Sequence, residues 1–285
     1  MTLQVRKAVE GDAPECGRIL YEAFAEIANF HRFLPDLPSA KFATDLISEL
    51  ISDPGHFGVV AEEDGRILGS NFLDERSLIH GVGPITVDPD RQNHKTGLAL
   101  MNAVLDRSRQ QHAPGVRLLQ SAYHNRSMCL YAKLGFDVRE PFAVVQGDPL
   151  ALRVPGYDIR AATDADVATC DALCRRVHGH DRCGEVRDAV AQGTAQVVER
   201  GGRITGYTTG VGYFTHSVAE TNDDIVALIG AADMFGGPGF LLPMRNTELL
   251  RWCLARELRV VYMMNQMTIG LYQEPRGAFL ASVMY

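Results

Sequence analysis

Apolar residues along this chain recur with two different periods. Over Ala13 to Ala28 and over Ser39 to Ser52 they return every three or four positions, which predicts two amphipathic helices. Around these the period is two. Leu3 to Ala8 reads as a strand, and Phe57 to Glu62 with Arg66 to Phe72 as a hairpin about a charged, glycine-containing turn. The pattern then predicts a strand over Gly81 to Val87, a helix over His94 to Gln111 and a strand over Val116 to Ser121. A short helix over Asn125 to Leu134 and strands over Phe136 to Val138 and Phe142 to Val145 follow. Strands alternate with helices only late in this half, so the expected fold class is α/β with a mixed sheet, not a doubly wound one. The second half begins in the same way. Its own strands are expected near Phe240 to Leu242 and Val260 to Met264, flanking a helix from Asn246 to Ala255.

The similar starts of the two halves extend to residue identities. "VRKAVEGDAPEC" (Val5 to Cys16) aligns without a gap on "IRAATDADVATC" (Ile159 to Cys170), pairing Arg6 with Arg160, Asp12 with Asp166 and Cys16 with Cys170. "VVAEEDGRILG" (Val59 to Gly69) is echoed by "VVERGGRITG" (Val197 to Gly206). A unit repeated once at half the chain length implies duplication, so two related domains are expected, residues 1–150 and 151–285. They join near Gln146 to Asp158, where two prolines and two glycines interrupt the periodicity.

Composition narrows the function classes. The 285 residues are 46 % hydrophobic, enough for ordinary cores, and the net charge of −7 without a Lys/Arg block argues against a nucleic-acid partner. No apolar run reaches the ~18 residues of a membrane span. The N-terminus lacks the apolar stretch of a signal peptide, so a cytoplasmic location without a membrane partner is expected. Six scattered cysteines suit reduced thiols.

The chemistry is carried by "VDPDRQNHKTGLALMNAVL" (Val87 to Leu105), where a strand ends at Pro89 and a helix begins with Gly97 just inside it. The first N–H groups of a helix lack internal partners and sit at the positive end of its dipole, which suits a phosphate, and Lys95 adds a cation there. No Gly-Lys-Ser/Thr or Gly-x-Gly-x-x-Gly pattern is present at this point. Downstream, "HNRSMCLYAKLGF" (His124 to Phe136) is a short helix with Tyr131 at its middle and Gly135 as its C-terminal stop.

Together the two segments resemble the GNAT superfamily of N-acetyltransferases, in the tandem-domain bacterial form whose C-terminal domain is degenerate. The first matches a Val-x-Pro strand end followed by Gln/Arg-x-x-Gly-x-Gly/Ala through Val87, Pro89, Gln92 and Gly97. The second matches Asn-x-x-Ala/Ser-x-x-x-Tyr-x-x-x-Gly-Phe through Ser127, Tyr131, Gly135 and Phe136. The resemblance implies two tandem domains, each a central, mostly antiparallel twisted sheet flanked by helices. It implies acetyl-CoA as cosubstrate. Amides of Gln92, Asn93, His94, Lys95, Thr96, Gly97 and Leu98 would hold its pyrophosphate, and the strand through Ile85 and Val87 would pair with its pantetheine arm. Lys95 stands where the family has its first loop glycine, and could crowd the phosphates or pair with them. His124 takes the family's Asn position with Asn125 one place later, and either could reach the cofactor. The second half has "PMRNTELLRW" at the corresponding helix start, so a single cofactor site is expected, with the second domain shaping the acceptor side.

The activity implied is transfer of an acetyl group to a primary amine of a small molecule or peptide by direct attack. The alternative is a non-catalytic acyl-CoA-binding or regulatory protein. An alkylamine with pKa ~10.4 must lose a proton, whereas a thiolate leaving group with pKa ~8.5 needs less help. By resemblance Tyr131 is the general acid, with a strand amide near Ile85 or Val87 as oxyanion donor. Glu75 is the nominated base, beside Asp74 and His80, with the terminal carboxylate of Tyr285 a weaker candidate. A homodimer is left open. Cys170, Cys174 and His178 fall at helical i, i+4, i+8 spacing with His180 and Cys183 beyond, ligand types that zinc uses. An amphipathic helix burying two cysteines explains the same spacing, and no metal is expected.

Overall fold

A computed structural model describes residues 3–91 and 95–284. In chain order its elements begin with β1 (Gln4–Lys7), α1 (Ala13–His31), α2 (Ala40–Ser52), and the hairpin β2 (His56–Glu63) and β3 (Arg66–Asp74). β4 (Ile79–Val82), β5 (Thr86–Val87), α3 (Thr96–Gln110), β6 (Gly115–Ser121), α4 (Asn125–Lys133) and β7 (Asp137–Gln146) complete the first half. The second half contributes β8 (Asp158–Ala161), α5 (Val167–His178), α6 (Cys183–Ala191), β9 (Gln196–Arg200), β10 (Arg203–Thr208), β11 (Ser217–Ala219) and α7 (Asn222–Ala231). β12 (Phe240–Pro243), α8 (Thr247–Leu254), β13 (Arg259–Gly270) and β14 (Ala278–Leu280) end it. The mixed α/β class expected from the sequence is the class observed.

Two sheets organise these elements. One runs β1-β2-β3-β4-β6-β13-β7-β12 with β5 attached to β3; the other runs β14-β11-β10-β9-β8. The pairings are antiparallel except β4 with β6. Strands from the second half therefore enter the first sheet. β13 lies between β6 and β7, with Met264 to Gly270 opposite Ser121 to Gly115 on one edge and Arg259 to Thr268 opposite Gln146 to Asp137 on the other.

Helices cover both faces of the first sheet. Along β2, Val59 and Ala61 pack with Leu100, Met101 and Val104 of α3, while Val60 packs with Cys16, Leu20 and Ile47 of α1 and α2. This is the alternation a strand imposes. Ser39 caps α2 by accepting from the Phe42 amide, and α1 ends at Arg32 in the left-handed conformation.

The predicted strand Gly81 to Val87 is two strands, because Gly83 takes φ +143° and Pro84 has no N–H for a ladder. Conversely, the two strands expected around Phe136 to Val145 are one, β7, running through Pro141 just past the end of the β12 pairing. The sequence reading missed α7, although Thr221 and Asp224 form a capping box at its start.

The repeat is reproduced atom for atom at the start of each half. Arg6 forks onto Asp12 at 2.7 and 2.8 Å and its Nε reaches Glu62; Arg160 forks onto Asp166 at 2.7 and 2.9 Å and its Nε reaches Glu199. Each aspartate also accepts a backbone N–H three residues before it, from Val9 and from Thr163. The guanidinium hydrogen bonds hold both carboxylates below their usual pKa. Asp12→Ala and Asp166→Ala should each cost about 1–2 kcal/mol of stability by denaturant titration at neutral pH. Groups with lowered pKa stabilise the fold above their unfolded value of about 3.9, so the deficit of both variants should shrink as the pH falls below about 4.

Candidate functional site

The site begins where two neighbouring strands part. β4 pairs with β6 only through Ile79–Gly115, His80–Val116 and Gly81–Arg117. Beyond that, the backbone from Val82 to Val87 follows β3 instead, through Gly69–Val87 and Ser70–Thr86. Glycine at 69 permits this, since a Cβ there would lie 2.3 Å from the Thr86 carbonyl oxygen. The diverging strands open a cleft of about 740 Å³, lined on one side by Val82 to Val87 and on the other by Leu118 to Ser121.

Helix starts complete its walls. Lys95 to Leu98 at the head of α3 and His124, Ser127, Leu130 and Tyr131 of α4 line it, with Phe24 and Ile27 of α1 and Met264 of β13. α3 receives no side-chain cap from Lys95, and the first amides of a helix have no intrahelical partner. Lys95 has φ +63°, the left-handed conformation glycine takes without strain, and its side chain is exposed. Among the described residues a Cβ on Gly97 would meet only Leu130 at 3.5 Å and Val87 at 3.8 Å, so packing against them does not require glycine there. The buried hydroxyls of Thr86 and Thr96 and Nε2 of His124 have no hydrogen-bond partner among the described residues. Three orphaned polar groups and an uncrowded glycine suit a ligand that brings acceptors and needs close approach to backbone.

Of the sequence-predicted residues, Ile85, Val87, Lys95, Thr96, Gly97, Leu98, His124 and Tyr131 share this cleft. Asn125 is exposed and does not line it, so of the neighbouring pair it is His124 that faces inward. Burial holds the His124 imidazole neutral by lowering its pKa and keeps the Tyr131 phenol protonated by raising its own. Gln92, Asn93, His94 and Tyr285 lie outside the described residues.

Glu75 is not part of this assembly. Its carboxylate is gripped by Arg107 at 2.7 and 2.9 Å, and neither it nor Asp74 nor His80 lines the cleft. Asp74 holds Arg76 at 2.6 Å, and His80 is buried with a lowered pKa.

Sequence reasoning missed Asp36, in the loop between α1 and α2. It is 4 % exposed and accepts from the hydroxyls of Tyr262 at 2.7 Å and Tyr213 at 3.3 Å. Burial raises its pKa to about 6. No local motif marks it, because its partners lie 177 and 226 positions away.

Among the described residues, Cys170, Cys174, His178 and His180 do not form a common ligand cluster. Cys170 and Cys174 are buried in the α5 core, where desolvation pushes their thiols up to about 12 and about 11. Asp171, Asp181 and Cys183 bring ligand atoms within 4.8 Å of one another, but Arg175 reaches both carboxylates at 2.9 and 3.5 Å and supplies the positive charge. No helix among the described residues is long and apolar enough to cross a membrane.

Residues 54–138 match the family model of the acetyltransferase (GNAT) domain. No curated protein matches the sequence. The fold is similar to that of a candidate acetyltransferase of Pyrococcus horikoshii, with 17 % identity and TM-score 0.76 over 97 % of this chain and 94 % of that one. It is also similar to a GCN5-related N-acetyltransferase from Sphaerobacter thermophilus, at 15 % identity and TM-score 0.62 over 95 % and 96 % of the two chains. A tandem GNAT protein from the clavulanic acid biosynthesis pathway matches at 15 % identity and TM-score 0.59 over 94 % and 98 %. Residues 54–138 thus match the acetyltransferase (GNAT) domain model, and the fold of the chain is similar to that of a tandem GNAT protein.

Proposed function

We propose that the chain is an N-acetyltransferase that takes its acetyl group from acetyl-CoA, bound in the cleft between β5 and β6, and passes it to a primary amine. The observation that carries this is the head of α3. An uncapped helix start, a glycine that internal packing does not need and the exposed Lys95 converge on one side of the cleft, and all three favour a phosphorylated ligand. Acetyl-CoA supplies an activated thioester. The backbone from Val82 to Val87 and from Leu118 to Ser121 offers extended edges to its arm, with Thr86, Thr96 and His124 as polar contacts. Tyr131, held protonated by burial, is the proton donor to the departing sulfur. Glu75 stays bound to Arg107 as a structural ion pair, and the second half contributes to the acceptor side of the same site through Tyr213 and Phe214.

Calorimetric titration with acetyl-CoA tests the reading. Saturation at about 100 times Kd should stabilise the protein by roughly 2.7 kcal/mol in a melting experiment, and absence of binding would sink it. Binding without transfer to any amine would leave an acyl-CoA-binding protein instead. Gly97→Ala separates ligand fit from folding. Alanine is the better helix former by up to about 1 kcal/mol, so the variant should melt no lower than wild type while binding acetyl-CoA at least about tenfold more weakly. Tyr131→Phe should lower kcat about 100-fold with acetyl-CoA affinity retained, and the wild type should show no alkaline limb below about pH 9 from this phenol.

A further inference from the structure

A second cleft lies between the two halves, and it meets the first. Its volume is about 1380 Å³, and Asp36, Leu46, Tyr213, Phe214 and Met284 line both. The common wall is therefore a short one, built from the α1–α2 loop, α2 and the chain after β10, with one carboxylate in it. Asp36 forms no ion pair with any described lysine, arginine or histidine. The titratable groups facing it are Tyr213, Tyr262 and Tyr123, all kept protonated by burial, with the His31 ring tilted against that of Tyr123 at 4.9 Å. A buried carboxylate served only by neutral hydroxyls is costly unless a cation arrives to share its charge.

The rest of the second cleft points the same way. Its lining holds Asp36, Glu49, Asp53, Glu185, Asp188 and Asp233 against Arg76 and His56, of which His56 lies 2.7 Å from Asp53. Arg76 is already committed to Asp74 and Asp188, and Glu185 to Arg182 and His216. Glu49 and Asp233 are exposed and form no described ion pair.

We infer that the acceptor is a polycationic amine that enters through this second cleft and presents its reacting ammonium group to Asp36. The inference rests on the acetyl-transfer reading and adds the acceptor class, its route and the base. The ammonium group gives one proton to the Asp36 carboxylate, and the freed lone pair forms the N–C bond as the C–S bond breaks. Tyr131 gives its proton to the departing sulfur, the second nitrogen proton restores the Tyr131 phenol through solvent, and Asp36 returns its own to water. A carboxyl with pKa about 6 suits this exchange, being ionised at neutral pH yet basic enough to receive the proton.

The test uses the full chain with acetyl-CoA and spermidine as the polycationic probe, beside glycine as an amine carrying a negative charge. Wild type should acetylate spermidine with at least about tenfold higher kcat/KM than glycine, and the profile should fall with unit slope below about pH 6. Asp36→Asn should bind acetyl-CoA within about threefold of wild type, lose about 100-fold in kcat/KM for spermidine and lose the acid limb. Tyr262→Phe, which removes one donor to the carboxylate, should move that limb to higher pH. Glu49→Lys with Asp233→Lys should raise KM for spermidine about tenfold and leave acetyl-CoA affinity unchanged. Wild-type acetyl-CoA binding with no preference for spermidine, or Asp36→Asn activity within threefold of wild type with its acid limb intact, would overturn the inference while leaving the cofactor reading standing. Failure to bind acetyl-CoA at all would overturn both.

Discussion

The insertion of β13 between β6 and β7 is the constraint on which the rest of the molecule depends. Twelve residues from the second half fill a gap in the first-half sheet and pair with the strands on both sides of it. Backbone N–H and C=O groups inside a protein have to be paired, so β6 and β7 would each present an open edge without this strand. The first half is therefore not a self-contained sheet, whatever its local sequence suggests. The same strand carries Tyr262 to Asp36 and Met264 to the cleft, so what closes the sheet also builds the floor of the site.

The opposite edge of β6 shows why a cleft exists there. β4 satisfies only its first three residues, and β5 is held by β3 because Gly69 lets the Thr86 carbonyl approach. β6 thus has a full partner on one side and a departing one on the other. A sheet held rigidly by β13 while β5 is drawn towards β3 must gape between them, and side chains fill the gap only in part. The polar groups left at its rim, on Thr86, Thr96 and His124, are those a bound molecule can satisfy.

What the sequence revealed divides by range. The aligned Arg6 and Asp12 with Arg160 and Asp166 became two superposable ion pairs, since residues six apart in chain settle their geometry locally. The helix start at Asn125 was legible locally for the same reason, and α3 begins at Thr96, two residues after the expected His94. The break at Gly83–Pro84 was legible too and was passed over, as was the Thr221–Asp224 capping box. The partners of β13 and of Asp36 were beyond any local signal. Nothing near Val260 states that its neighbours are residues 115–121 and 137–146, and Asp36 looks like a loop aspartate between two prolines. Glu75 failed as a cleft residue for a related reason: only its fold neighbour Arg107 decides where its charge goes.

The two halves also differ at the one feature on which ligand binding turns. In the first half the head of α3 has a left-handed lysine before it, no cap from that residue and a glycine one position in. The corresponding helix of the second half, α8, begins at Asn246, whose side chain accepts from the Leu249 amide and is itself held by Asn222. Glu248 adds a negative charge to its first turn. A helix start whose donors and dipole are already satisfied by its own chain has little left for a phosphate, and an anion would meet Glu248 on approach. Both halves thus carry the Arg–Asp brace while their helix starts differ in how far their own chain satisfies them, and the second half supplies strands to the first sheet and residues to the wall opposite.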